Sequence, residues 1–189
     1  MTPGLPAQIV LTLPGWVRGY IDATRTYVGD DEKVGLAIEL SRGNLVHATG
    51  GPFGAAVFDQ EDRLVSVGVN VVLPQTTSIA HAEMIAFMLA QQAVARARLN
   101  DDGHRYTLAT SSQPCCQCYG ASIWAGIDAL LVGARSDDVI RLTEFDEGPL
   151  PADWIGELEN RGIAVRRDLH RDAACAVLAD YGRLGGARY

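Results

Sequence analysis

The chain has 189 residues, enough for one compact domain with a sizeable core, and its 48% hydrophobic and 21% charged residues are an ordinary globular balance. A formal net charge of -7 disfavours a long polyanionic partner, because nucleic acid binding needs a basic surface. The opening Met1-Thr2-Pro3-Gly4-Leu5-Pro6 has no basic n-region and no long apolar core, so neither a signal peptide nor a membrane span is expected.

Residues 1–28 are rich in Pro and Gly, with scattered apolar residues (Ile9, Val10, Leu11, Leu13, Trp16), and read as an ordered extension packed on the domain with one short helix. Asp30 or Asp31 suits the cap of a helix over about 31–47, with Val34, Ile38, Leu45 and Val46 on its buried stripe. Gly50-Gly51-Pro52 ends it. Strands over 55–58 and 64–72, around a turn at 59–63, form a hairpin. Pro74 to Thr77 is a loop. Ser78 then caps a helix that begins near Ala80 and runs to about Arg98, where 100–103 break it. A third strand over 106–110 leads to a helix with Pro114 in its first turn. The apolar run at 128–133 reads as a strand covered on both faces. Further on are a short helix at 137–142, a loop from Glu144 to Pro151, a helix at 153–160, a strand at 163–166 and a last helix at 172–181. This order predicts an α/β fold with a five-stranded mixed sheet between layers of helices.

Four cysteines, three of them clustered, indicate metal chemistry in a reducing cytosol and not a disulfide framework. His81, Cys115 and Cys118 supply one imidazole nitrogen and two thiolates, a ligand set for zinc with a fourth tetrahedral position left open, as a catalytic ion needs. On the predicted helices, Cys115 and Cys118 stand at i and i+3 on one face, and two helix N-termini meet at the metal and favour thiolate. Glu83 follows His81 by two residues; it is either a capping carboxylate or the group that works beside the open position. The pattern H-x-E followed by P-C-x-x-C is the zinc deaminase signature. In that chemistry Glu83 takes the proton of the attacking water and passes it to a ring nitrogen.

Beyond the motif, about residues 30–182 resemble the cytidine deaminase-like superfamily, and within it the guanine deaminase branch. The residues that carry this are Gly51-Pro52-Phe53, Gly68-x-Asn70, His81-Ala82-Glu83, Pro114-Cys115-x-x-Cys118 and Ala134-Arg135-Ser136-Asp137-Asp138. The tract Phe145-Asp146-Glu147-Gly148-Pro149 resembles bacterial guanine deaminases that also accept aminotriazines such as ammeline. The resemblance implies a three-layer cytidine deaminase-like fold over 29–189, a Zn2+ cofactor, a cytoplasmic homodimer, and a free nucleobase or triazine as substrate. It points to Glu147 as a second proton carrier, with Asp146 as runner-up, and to the Ala82 backbone N–H as a donor to a substrate carbonyl. Deaminases of cytosine, of a nucleoside or of a secondary-metabolite precursor are the alternative, and a non-catalytic zinc protein is a third reading. A tRNA-editing role fits the acidic charge poorly.

Two departures stand out: the family commonly has Glu where this chain has Gln113, and Cys116 places an extra thiol beside the ligands. Asn70 either hydrogen-bonds a ring edge or closes the hairpin as a turn residue. Phe53 and Trp124 are aromatic candidates for stacking on a planar base, although an aromatic in apolar context is more often core. Trp154 and Tyr189 are candidates to line or cap the pocket across a dimer. His47, His104 and His170 lack ligand spacing, Cys175 reads as core, and the run Arg161, Arg166, Arg167, His170, Arg171 reads as a solvated edge.

Overall fold

Apolar residues alternate along the strands, and that alternation builds the molecule. On β1 (Gly54–Asp59), Ala56 and Phe58 face one layer of helices while Ala55 and Val57 face the other. The structure is a computed structural model that describes residue 4 and residues 7–189, apart from the Asp102 side chain; residues 1–3, 5 and 6 of the expected extension lie outside the described residues. β2 (Leu64–Val69) pairs antiparallel with β1, and β1 pairs antiparallel with β3 (Tyr106–Ser112). β4 (Ala129–Ala134) and β5 (Ala164–Arg166) continue in parallel, giving the order β2-β1-β3-β4-β5. The sheet is therefore five-stranded and mixed, as predicted, and β4 is buried on both faces, with Leu131 in one core and Leu130 and Val132 in the other.

One core lies between the sheet and α1 (Asp30–Val46) with α7 (Arg171–Arg183). The other lies under α3 (Ala82–Val94) and α4 (Cys116–Ala125), and it carries the metal motif. Shorter helices are α2 (Val72–Gln75), α5 (Ser136–Thr143) and α6 (Trp154–Glu159). A 3-10 turn at Gly15–Gly19 is the short helix of the N-terminal segment; Val17 is buried there, and Leu11, Leu13, Trp16 and Ile21 pack against the first core.

Several local expectations are corrected. Val46 is 69% exposed, whereas Leu36, Ala37 and Leu40 are buried; α1 is central enough to bury most of its circumference, so a single stripe misjudges it. Gly29 and not an aspartate is its N-cap. α2 replaces part of the expected loop at 74–77, and β2 stops at Val69. α3 ends at Val94, well short of Arg98, with Ala95 in the left-handed conformation. Ser78 caps nothing: His81 is the N-cap of α3, and Cys115 that of α4.

Two devices join the helices to the site. Asn44 of α1, fully buried, donates through Nδ2 to the carbonyls of Gly51 (2.7 Å) and Asn70 (2.8 Å) and so fixes both chain segments at one end of the sheet. Asp138 of α5, 3% exposed, accepts from Nε and Nη2 of Arg171 (2.7 and 2.9 Å), from Nη2 of Arg141 (3.0 Å) and from the Arg135 N–H (3.0 Å). This locks α5 to α7. The expected basic edge is ion-paired: Arg161 with Glu157, Arg166 with Asp30 and Arg171 with Asp138.

Candidate metal centre and active-site cavity

His81 and Cys115 begin two helices, yet neither caps its helix through its side chain. Both have extended backbone at the N-cap, which frees the side chain to turn toward the neighbouring helix start. Cys118 is the third residue of α4 and Cys115 its N-cap, so the two thiols, at the expected i and i+3 spacing, converge at the helix start with Cys115 flanking the helix and not within it. His81 Nδ1 lies 3.5 Å from Cys115 Sγ and 3.6 Å from Cys118 Sγ, and the three donor atoms lie within 4.8 Å of one another. Zn–N near 2.0–2.1 Å and Zn–S near 2.3 Å at a tetrahedral angle place nitrogen and sulfur about 3.6 Å apart. The donor set fits zinc, and Nδ1 is the nitrogen that faces it.

Hydrogen bonding sets the two thiols at this point, and burial sets the two carboxylates. A hydrogen bond from Cys118 brings the Cys115 thiol down to about 4, while Cys118, serving as that donor, is pushed up. Burial, then the Cys115 charge, raises Glu83 to about 7. Burial, then the charges of Cys115 and Glu83, raises Glu147 to about 8. Burial lowers His81, but the hydrogen bond with Cys115 and the charge of Glu83 outweigh it and the net direction is upward.

Beside the donors lies an inner cavity of about 50 Å³, lined by Phe53, Asn70, His81, Glu83, Gln113, Cys115, Phe145, Asp146, Glu147 and Tyr189. It adjoins an outer cleft of about 470 Å³ that includes Leu73, Thr77, Cys116 and Gln117. Tyr189, Asp146 and Glu147 line both spaces. Ligand sites usually measure 300–1,000 Å³; the inner space alone falls below that range, and the adjoining cleft lies within it.

The structure brings Phe53, Asn70, His81, Glu83, Cys115 and Glu147 to one cavity. Cys118 is buried behind it as a metal donor. Ala82 is fully buried; what it can offer is its backbone N–H, among those that α3 leaves without an intrahelical acceptor. Asn70 is 1% exposed, and its Oδ1 accepts the Val72 N–H at 3.3 Å. Glu147 is 8% exposed; its carbonyl accepts the Cys116 N–H at 2.9 Å, which ties the loop to the start of α4. Asp146 is exposed and accepts the Gly148 N–H at 2.9 Å.

Trp124 is 78% exposed and belongs neither to the core nor to the cavity, which corrects its reading as a packed aromatic. Trp154 is partly buried beside Arg167, away from the cavity. Tyr189 does line the pocket, from its own chain: Tyr181 donates to the Ala187 carbonyl at 2.6 Å, Arg188 pairs with Glu144 at 2.6 Å, and the Tyr189 ring meets Phe145 edge-on with centroids 5.0 Å apart. Phe145, wedged among Phe53, Tyr181 and Tyr189, had no role assigned from sequence. Its only signal was membership of the tract that contains Glu147.

Residues 30–134 match the family described as cytidine and deoxycytidylate deaminase zinc-binding region. Guanine deaminase from Nitrosomonas europaea superposes with a TM-score of 0.89 at 41% identity, over 95% of this chain and 99% of that one. A point variant crystallised in complex with 8-azaguanine superposes with a TM-score of 0.88 at 41% identity, over 94% and 98%. A probable cytosine deaminase of Schizosaccharomyces pombe is 31% identical over 113 residues, 60% of this chain and 65% of that protein, so the chain spans less than two thirds of its length.

Proposed function

The chain belongs to the cytidine and deoxycytidylate deaminase family, and on that premise we propose that it is a zinc-dependent hydrolytic deaminase of a free aminopurine. Guanine and water become xanthine and ammonia; aminotriazines such as ammeline are the second substrate class. The observation that carries this reading is the placement of two buried carboxylates, Glu83 and Glu147, in one cavity with the His81 and Cys115 donors. The likeness to a guanine deaminase over nearly the full length of both chains supports the purine.

When bound, zinc supplies the Lewis acidity that makes water nucleophilic at neutral pH. The protein does the rest. Glu83 removes a proton from the attacking water and delivers it to the ring nitrogen next to the amine-bearing carbon. Glu147 protonates the amine as the C–N bond breaks and regains its proton from the new hydroxyl, which becomes the product carbonyl. Asn70, held by Val72, offers Nδ2 to the ring edge, and Phe53 and Phe145 form an apolar wall for its face.

The test is ammonia release by zinc-loaded protein from guanine, cytosine, adenine, guanosine and ammeline. Guanine should turn over fastest. Faster turnover of cytosine would move the assignment to the pyrimidine branch, and normal turnover by Glu83→Gln would end the catalytic reading altogether.

The same reading includes a homodimer in a reducing cytoplasm. An apolar cleft of about 840 Å³ between the N-terminal segment and α3, lined in part by Ile9, Leu13, Ile79, Ile85 and Met88, supports association. Sedimentation should give twice the chain mass. No helix among the described residues is long and apolar enough to cross a membrane.

A further inference from the structure

Among the polar groups that line the inner cavity, the amide of Gln113 has no task in the reaction as described. Gln113 follows β3, and its backbone N–H extends the sheet by donating to the Ala134 carbonyl at 2.8 Å. Its Oε1 accepts the Ser136 N–H, at the start of α5, at 3.4 Å. That contact sets the amide orientation, since an N–H donor meets only the oxygen of a carboxamide. Nε2 is then left with two donor hydrogens and no acceptor among the described residues. The residue is 8% exposed and lines the cavity that holds Glu83 and Glu147. A cavity-lining donor without a protein acceptor is free to pair with a ligand acceptor, so this end of the amide is suited to one.

We propose that Gln113 is a specificity residue whose Nε2 donates to a carbonyl oxygen on the ring edge away from the reacting amine. It selects rings with a carbonyl there over rings with an amine there. The inference rests on the deaminase reading above. Glutamate at this position would keep the Ser136 contact, because a carboxylate oxygen also accepts. It would present an acceptor to the ring in place of a donor, and it would add a fourth acid to a cavity already lined by Glu83, Asp146 and Glu147.

The test compares calorimetric binding of 8-azaguanine, which has the carbonyl, and 2,6-diaminopurine, which has an amine in its place. The zinc-loaded protein carries Glu83→Gln to stop turnover, and Gln113, Gln113→Glu and Gln113→Leu are compared in that background, with zinc content and Tm measured for each. Retained Gln113 should favour 8-azaguanine. Gln113→Glu should shift the preference toward 2,6-diaminopurine by about tenfold or more, and Gln113→Leu should weaken 8-azaguanine by a similar factor without improving 2,6-diaminopurine. If 8-azaguanine binds and the preference is the same in all three proteins, the inference falls alone. A preference for 2,6-diaminopurine with Gln113 in place also overturns it, whatever the variants do. If the reference protein binds neither ring, the substrate reading falls and takes this inference with it.

Discussion

Gly68 sits on β2 where α3 crosses the sheet, and the whole metal motif depends on that crossing. A methyl group placed on Gly68 would lie 1.9 Å from the Ala82 carbonyl oxygen and 2.7 Å from the Ala86 nitrogen. Both are backbone atoms of α3, so no side chain can swing aside. An ordinary carbon–oxygen contact is about 3.3–3.6 Å, and Gly68→Ala therefore drives the start of α3 outward by roughly 1.5 Å. Overpacking of this kind costs about 3 kcal/mol, or a fall in Tm of roughly 6–12 °C for a chain of this size. The larger effect is on the metal. His81 precedes α3 directly, and a ligand distance departing by more than about 0.2 Å is incompatible with the zinc geometry. The variant should lose zinc, measured by elemental analysis after dialysis, as well as Tm. Gly120→Ala is the control: it lies in the middle of α4 with no atom within 4 Å of the new methyl, and it should be neutral or raise stability by about 0.5–1 kcal/mol. Full zinc occupancy and an unchanged Tm in Gly68→Ala would refute the claim that this glycine seats the ligand helix.

Glu147→Gln should keep zinc and Tm but lower turnover of guanine by about 10²–10⁴, the usual worth of a positioned acid; parental turnover would remove Glu147 from the proton path. Tyr189→Ala removes the ring that meets Phe145 edge-on and should weaken 8-azaguanine severalfold by calorimetry, since an aromatic pair contributes about 0.5–1.5 kcal/mol. An unchanged Kd would mean the tail is a bystander. Asp138→Asn should cost about 1–2 kcal/mol at pH 7 in urea unfolding, a value discounted because Arg141 and Arg171 are 64% and 36% exposed. The hydrogen bonds from Arg171 hold the Asp138 carboxyl well below its ordinary range. Its contribution is therefore complete above about pH 4, the unfolded value, and is lost as pH falls below that. The gap between variant and parent should narrow on acidification from pH 4, and a gap that widens there would contradict the assignment.

The ligand set was legible from the chain alone, because imidazole and thiolate chemistry at H-x-E and P-C-x-x-C spacing admits few other uses, and the strand count followed from apolar alternation and the run at 128–133. Sequence also singled out Phe53, Asn70 and Glu147, which line the inner cavity, though it left open whether Asn70 merely closed a turn. What it missed depends on contacts between distant segments. The solvent-facing position of Trp124 and the burial of α1 around most of its circumference are consequences of packing, which no local periodicity reports. That His81 and Cys115 start their helices instead of lying within them is set by where α3 and α4 meet across the sheet end. Tyr189 reaches the cavity because the tail folds back along Tyr181 and Glu144, and Gln113 shows one end of its amide to the cavity because Ser136 holds the other. Residue chemistry and spacing are local properties, so the chain carries them in full. The direction of a side chain relative to segments 20 to 140 residues away is fixed only when those segments are packed together.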